Sequence, residues 1–290
     1  MNPALKWLIP LIAVLALITA GVGLFSQGGP GPFVFETLRG QQVEMFGRGL
    51  YANDSLFSGA AFRGTDVVTL LIALPLLFAC YFLSLRGSQN APIAQIGVLF
   101  YFLYIGASMA FGAAFNAMFL FYAALFSASL FAVITALATF DLQALATRIK
   151  PSFPRRSLAI FNIVAGFGTL FIWLSDLIEP LLNGSAPVLL GPYTTMFTHS
   201  FDSAVITPAA VMTAIFLLQR KPLGYLLAAP MLMLCTLIGV VVIGQTISQT
   251  LEGITFPIGI YIGMIGSWVV MGAFAIGLTI SFFRNLSNEK

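Results

Sequence analysis

His199 is the only histidine of the chain, and Asp202 follows three residues later in the stretch "THSFDSAVITP". Asp176 and Glu179 repeat that spacing in "WLSDLIEP". Residues three apart share one face of a helix, so each pair presents two ionisable groups side by side. Groups of this kind bind cations, exchange protons, or act as acid and base, and histidine is the one whose ordinary titration falls near neutral pH. His199 with carboxylates could also hold a divalent ion. A lone histidine excludes bis-histidine haem, an HExxH zincin and any multi-histidine zinc cage. Asp66 belongs with these residues because, like Asp202, it stands at the mouth of a long apolar run.

Other chemistries find less support. There is no GxSxG, and Ser175, Ser200 and Ser203 sit in no pattern that names an activated hydroxyl. No lysine lies inside an apolar run, which excludes a retinal Schiff base. Cys80 and Cys235 lie in apolar runs without a CxxC and read as small hydrophobes. The sequence therefore names no catalytic residue, no cofactor and no definite metal site.

The elements that must position these residues are membrane helices. The chain of 290 residues is 59% hydrophobic and only 8% charged, against about 25% charged for a soluble domain. A helix needs about 20 apolar residues to cross the hydrocarbon core. Eight stretches qualify, at about 7–26, 66–85, 92–112, 116–139, 157–179, 201–219, 223–247 and 255–283. The expected fold is an all-α, polytopic transmembrane bundle forming one integral membrane domain. The first stretch also has the outline of a signal peptide. The bulky Ile18 three residues before Ala20, and apolar residues continuing to Phe25, favour an uncleaved span. No internal repeat is clear, although eight spans could hide a four-plus-four duplication.

Residues 27–65 open with "QGGPGP", which breaks the helix. Beyond it, large apolar residues around Phe46, Leu50, Leu56, Phe57 and Phe62 alternate with charges. This segment is expected to be an extracytoplasmic cap of one or two amphipathic helices, followed by seven further transmembrane helices over 66–284. Lys and Arg are retained on the cytoplasmic side. With eight spans, ten of the thirteen basic residues, including Arg148, Lys150, Arg155, Arg156, Arg220, Lys221 and Lys290, fall on one side. Both termini are then cytoplasmic, and Arg39, Arg48 and Arg63 lie outside.

The acids sort the other way. Asp141 and Glu289 fall inside, whereas the other eight, set against three arginines, leave an outer formal charge of −5. Asp66 and Asp202 stand where helix N-caps belong. Asp176 and Glu179 sit at the negative end of their helix and need a cation, a proton, or a partner such as Arg39 or Arg63. Pro208 frees a backbone carbonyl just below Asp202, as a cavity-lining helix allows. The reading with most support is an outward-facing acidic vestibule of Asp66, Asp176, Glu179, His199 and Asp202 that binds or translocates a cation, a proton or a cationic small solute. One alternative is a membrane-embedded enzyme acting on a lipid-linked substrate at the outer leaflet. The other is a non-catalytic subunit of a membrane complex, docking a second copy or a partner through Gly259 and Gly263 in GxxxG spacing. The basic loop at 148–156 rests against lipid headgroups, and nothing points to nucleic acid.

Overall fold

The computed structural model describes residues 1–287. Glu289 and Lys290, counted above on the side of the termini, lie outside the described residues. The fold is an all-α bundle of eight helices, each long and apolar enough to cross a membrane: Pro3–Phe25, Leu56–Leu85, Ala91–Gly112, Phe119–Ala138, Arg155–Asn183, Phe197–Leu218, Pro222–Leu251 and Ile258–Arg284. These are spans 1 to 8, and the chain is an integral, multi-pass membrane protein. Residues 1–2, 86–90, 139–154, 219–221 and 285–287 lie at one end of the bundle, here the terminal face. Residues 26–55, 113–118, 184–196 and 252–257 lie at the other, the distal face.

Spans 3 and 7 are the most buried and span 8 the least. Span 7 packs against spans 2, 3, 6 and 8, while span 3 also packs against spans 2 and 4. Glycine sets the closest approaches. A β-carbon on Gly64 would overlap the Gly244 carbonyl, and one on Gly239 would lie 2.9 Å from the Gly272 Cα, so spans 2 and 8 both meet span 7 backbone to backbone. The GxxxG pair is not used this way, because β-carbons on Gly259 and Gly263 would meet open space.

Three spans contain a π turn, in which an amide bonds the carbonyl five residues back. Leu74 N–H donates to Thr69 O in span 2, Thr207 N–H to Asp202 O in span 6, and Gly266 N–H to Tyr261 O in span 8. Pro75 and Pro208 come directly after the first two. Proline has no N–H and crowds the carbonyl four residues back, so a widened turn is the local solution.

The distal segment departs from the expected amphipathic helices. Strands Phe33–Glu36 and Gln42–Met45 form an antiparallel hairpin with Phe33 opposite Met45 and Glu36 opposite Gln42. Valine and phenylalanine suit strands, and Gly40, with φ of 77°, closes the turn. A short 3-10 turn follows at Gly49–Tyr51. Residues 56–65 are not a separate surface helix. They are the distal end of span 2, which starts at an N-cap where Ser55 Oγ accepts from Ser58 N–H.

This revises the capping role expected for two acids. Asp66 lies ten residues inside its helix, and Asp202 lies inside a helix that begins at Phe197. Both are buried, at 7% and 3% exposure. Neither touches free N-terminal amides, so each must be satisfied by side chains.

At the terminal face, buried Arg148 holds the chain's last described residues. Its Nε donates to Ser287 O at 3.0 Å and its Nη1 to Gln89 O at 3.1 Å, while Nη2 bonds Asn90 Oδ1.

Candidate functional site

The four aspartates of the distal half fall into three separate groups. The first is organised by Trp173 of span 5. Its indole Nε1 donates to Asp202 Oδ2 of span 6 at 2.9 Å, and its ring lies 4.1 Å from the His199 ring, centroid to centroid. His199 Nε2 is in turn 3.1 Å from Asp176 Oδ2. Spans 5 and 6 are antiparallel neighbours, and Thr207 Oγ1 fastens them by donating to Gly166 O at 3.0 Å. Three of the five expected site residues, Asp176, His199 and Asp202, thus come together.

Glu179 does not join them. It is exposed and makes no hydrogen bond or ion pair among the described residues. The expected arginine partners are engaged elsewhere: Arg63 reaches Glu252 at 3.4 Å, where Arg48 also pairs at 3.0 Å, and Arg39 Nη1 donates to Tyr193 O at 3.4 Å.

Asp66 forms the second group, facing span 1 away from Trp173. Tyr51 OH donates to its Oδ2 at 2.7 Å. Gly23 of span 1 leaves room for both, since a β-carbon there would overlap the carboxylate and the phenol.

The third group went unnoticed in the sequence. Asp54 is fully buried beneath the hairpin. Its Oδ1 accepts from Ala114 N–H at 2.8 Å and from Tyr193 OH at 2.9 Å, while Oδ2 has no partner. Burial pushes its carboxyl up to about 7, against the opposing pull of the Ala114 amide and the Tyr193 hydroxyl. Burial also raises the Tyr193 phenol, and the nearby Asp54 charge adds to the rise. One side chain thereby ties together three distal connections.

The first group borders a large cavity. It encloses about 670 Å³ among spans 2, 3, 5, 6, 7 and 8, and its lining includes Asp176, Asp202, Trp173, Trp268 and Tyr104. No lysine or arginine lines it. His199 stands behind Trp173 and Asp176 rather than on the wall. Gln245 and Gln249 of span 7 also line the cavity; Gln245 Nε2 donates to Thr65 Oγ1 at 2.9 Å and Gln249 Nε2 to Phe57 O at 3.2 Å. Two amides four residues apart in an apolar run share a helix face, and that spacing was the available sequence signal for them. Trp173, three residues before Asp176, was another.

The rest of the lining is mostly apolar and aromatic, with Phe57, Phe62, Ile238, Val241 and Phe256, and carries hydroxyls such as Ser108 and Thr198. Such a wall with a few fixed polar groups is the usual construction of a small-molecule pocket. Among the described residues, no three His, Cys, Asp or Glu side chains converge as a metal ion would require. Comparison of the chain with known protein families, with curated proteins and with solved structures finds no match in any of the three.

Proposed function

We propose that this membrane protein binds a cationic organic solute in the distal cavity, and that the distal face is extracytoplasmic. The observation that carries the reading is the pair of carboxylates, Asp176 and Asp202, in a lining without a basic side chain. Asp176 is 30% exposed and meets the arriving charge. Asp202 waits deeper, held by Trp173. Trp173, Trp268 and Tyr104 add ring faces, which attract cations by roughly 0.5–2 kcal/mol each. The orientation rests on the basic residues: nine of the twelve described ones lie at or beside the terminal face, which is the cytoplasmic side by the rule for Lys and Arg.

The test uses the protein's own fluorescence. Two of its three tryptophans line the cavity, and Trp7 lies exposed in span 1. A Trp7→Phe variant in lipid nanodiscs is titrated with N-methylpyridinium, a water-soluble cation that quenches indole. Saturable quenching is expected, weakened roughly tenfold or more by Asp202→Asn. Quenching that is linear, or unchanged by Asp202→Asn and Asp176→Asn together, sinks the reading. Transport is then asked separately, as uptake of the same cation into proteoliposomes.

A second reading, acid–base chemistry on a membrane lipid, draws on the His199–Asp176 pair. Among the described residues no serine, threonine or cysteine side chain bonds His199, which leaves that pair without a nucleophile to activate.

A further inference from the structure

Resting on that reading, we infer that the ligand is a single-chain amphiphile with a cationic head, which reaches the cavity sideways from the membrane between spans 5 and 8 and leaves its apolar chain in the groove there. A second cavity of about 740 Å³ lies between these two spans. Its walls are almost wholly apolar, with Phe161, Val164, Val270, Met271 and Phe274 among them. Its lips are exposed, with Val164 at 64%, Val270 at 54% and Phe274 at 65%, so the groove opens towards lipid rather than towards either aqueous face.

The groove and the acidic cavity share two wall residues, Ile172 and Trp268. These two side chains face both. The Trp268 ring lies 6.3 Å from Trp173, which itself holds Asp202. A head bound at the carboxylates therefore has its nearest apolar outlet at Trp268.

The length of the groove selects the kind of tail. On span 5 it runs from Ser157 to Ile172, a rise of roughly 22 Å at 1.5 Å per residue. That exceeds half of the roughly 30 Å hydrocarbon core, which suits one long chain and is far more than a compact solute fills. Spans 1 and 4 pack along one another, whereas spans 5 and 8, on either side of the groove, meet at only a few points. The distal tip of span 8, Ile258–Ile265, buries no residue at all. Span 8 is the wall best able to move aside.

Glycine offers a clean plug. A β-carbon on Gly168, which lines the groove, would meet open space, so Gly168→Phe is placed to fill it. Val270→Phe narrows it from the other wall. Each is made in the Trp7→Phe background and titrated in nanodiscs with two probes that share one head, N-methylpyridinium and N-hexadecylpyridinium, the latter at low mole fraction. The expected result is that either plug weakens the long-chain probe roughly tenfold and leaves the methyl probe unchanged. If both probes keep their affinity in both plugged variants, the inference is overturned while the cavity reading stands. If Asp202→Asn fails to weaken even N-methylpyridinium, the cavity reading is what has failed, and the inference falls with it. If the plugs instead change the oligomeric state and spare the long-chain probe, the groove is a contact between copies and the inference is overturned.

Discussion

Trp173 and Asp202 stand on neighbouring antiparallel spans and are joined by a single bond, indole Nε1 to carboxylate Oδ2 at 2.9 Å. Asp202 is 3% exposed, so no ready supply of water replaces the indole if it is removed. Trp173→Phe keeps an aromatic ring under His199 and deletes only the donor. Losing that donor costs up to about 1–3 kcal/mol, with the Tyr104 hydroxyl left as the remaining donor beside Asp202. Thermal unfolding in detergent should show that loss, and Asp202→Asn should recover part of it in the double variant. A Trp173→Phe protein as stable as the parent would mean that Asp202 is satisfied from elsewhere.

Gly23 and Asp66 make a steric prediction. A β-carbon on Gly23 would overlap both Asp66 Oδ2 and Tyr51 OH. Gly23→Ala should therefore destabilise by about 1–3 kcal/mol, the usual range for overpacking. In an Asp66→Ala background the same change should cost clearly less, because the two residues compete for one space. Equal costs in both backgrounds would separate the two sites.

Asp54 predicts a pH dependence. Its folded value is raised to about 7 from an ordinary 3.8, so the folded protein holds this proton more tightly than the unfolded chain does. The stability it contributes is fully present below about pH 4 and is lost as the pH climbs through about 7, up to about 4 kcal/mol in all. Asp54→Asn should flatten the unfolding midpoint against pH across that window. A slope that persists unchanged in Asp54→Asn would assign the dependence to another group.

Orientation is checked by labelling. With Cys80 and Cys235 replaced by alanine, single cysteines at Ser152 and Leu38, both exposed and at opposite faces, are offered an impermeant maleimide in intact cells. Leu38→Cys should label and Ser152→Cys should not. The reverse pattern would turn the molecule over and make the acidic cavity cytoplasmic.

The existence of all eight helices was legible because each carries about 20 apolar residues, and hydrocarbon imposes that length whatever the sequence detail. Where span 2 begins was not. Its distal residues Ser58, Gly59, Arg63 and Gly64 look like loop, yet they are helical because span 7 covers one face of them and Gly64 lets the backbones touch. For the same reason Asp66 and Asp202 resembled caps: apolar stretches begin right after them, and only packing shows that the helix started earlier. The hairpin was missed because four-residue strands rich in phenylalanine are too short to distinguish from a helical face. The proximity of Asp176, His199 and Asp202 was legible from charge, three-residue spacing and the short link between spans 5 and 6. Trp173 was not, since the two acids it connects, one directly and one through His199, lie on different spans.

A π turn carries one residue more than the α turn it replaces, and an α-helix advances by about 100° per residue. Everything distal to such a turn is out of phase with everything proximal to it. In spans 2, 6 and 8 the residues that line the acidic cavity lie almost entirely at or beyond the π turn, as Phe57 to Thr65, Thr198 to Asp202, and Ile260 to Ile265 do. The tips of these helices are thus aimed independently of their shafts. Removing one residue within Asp202–Ile206 would swing Asp202 by about 100°, away from Trp173, while the shaft from Thr207 onward kept its seat on span 5. The direction in which Asp66 and Asp202 point is set by a residue count, separately from the apolar pattern that holds each span in the bundle.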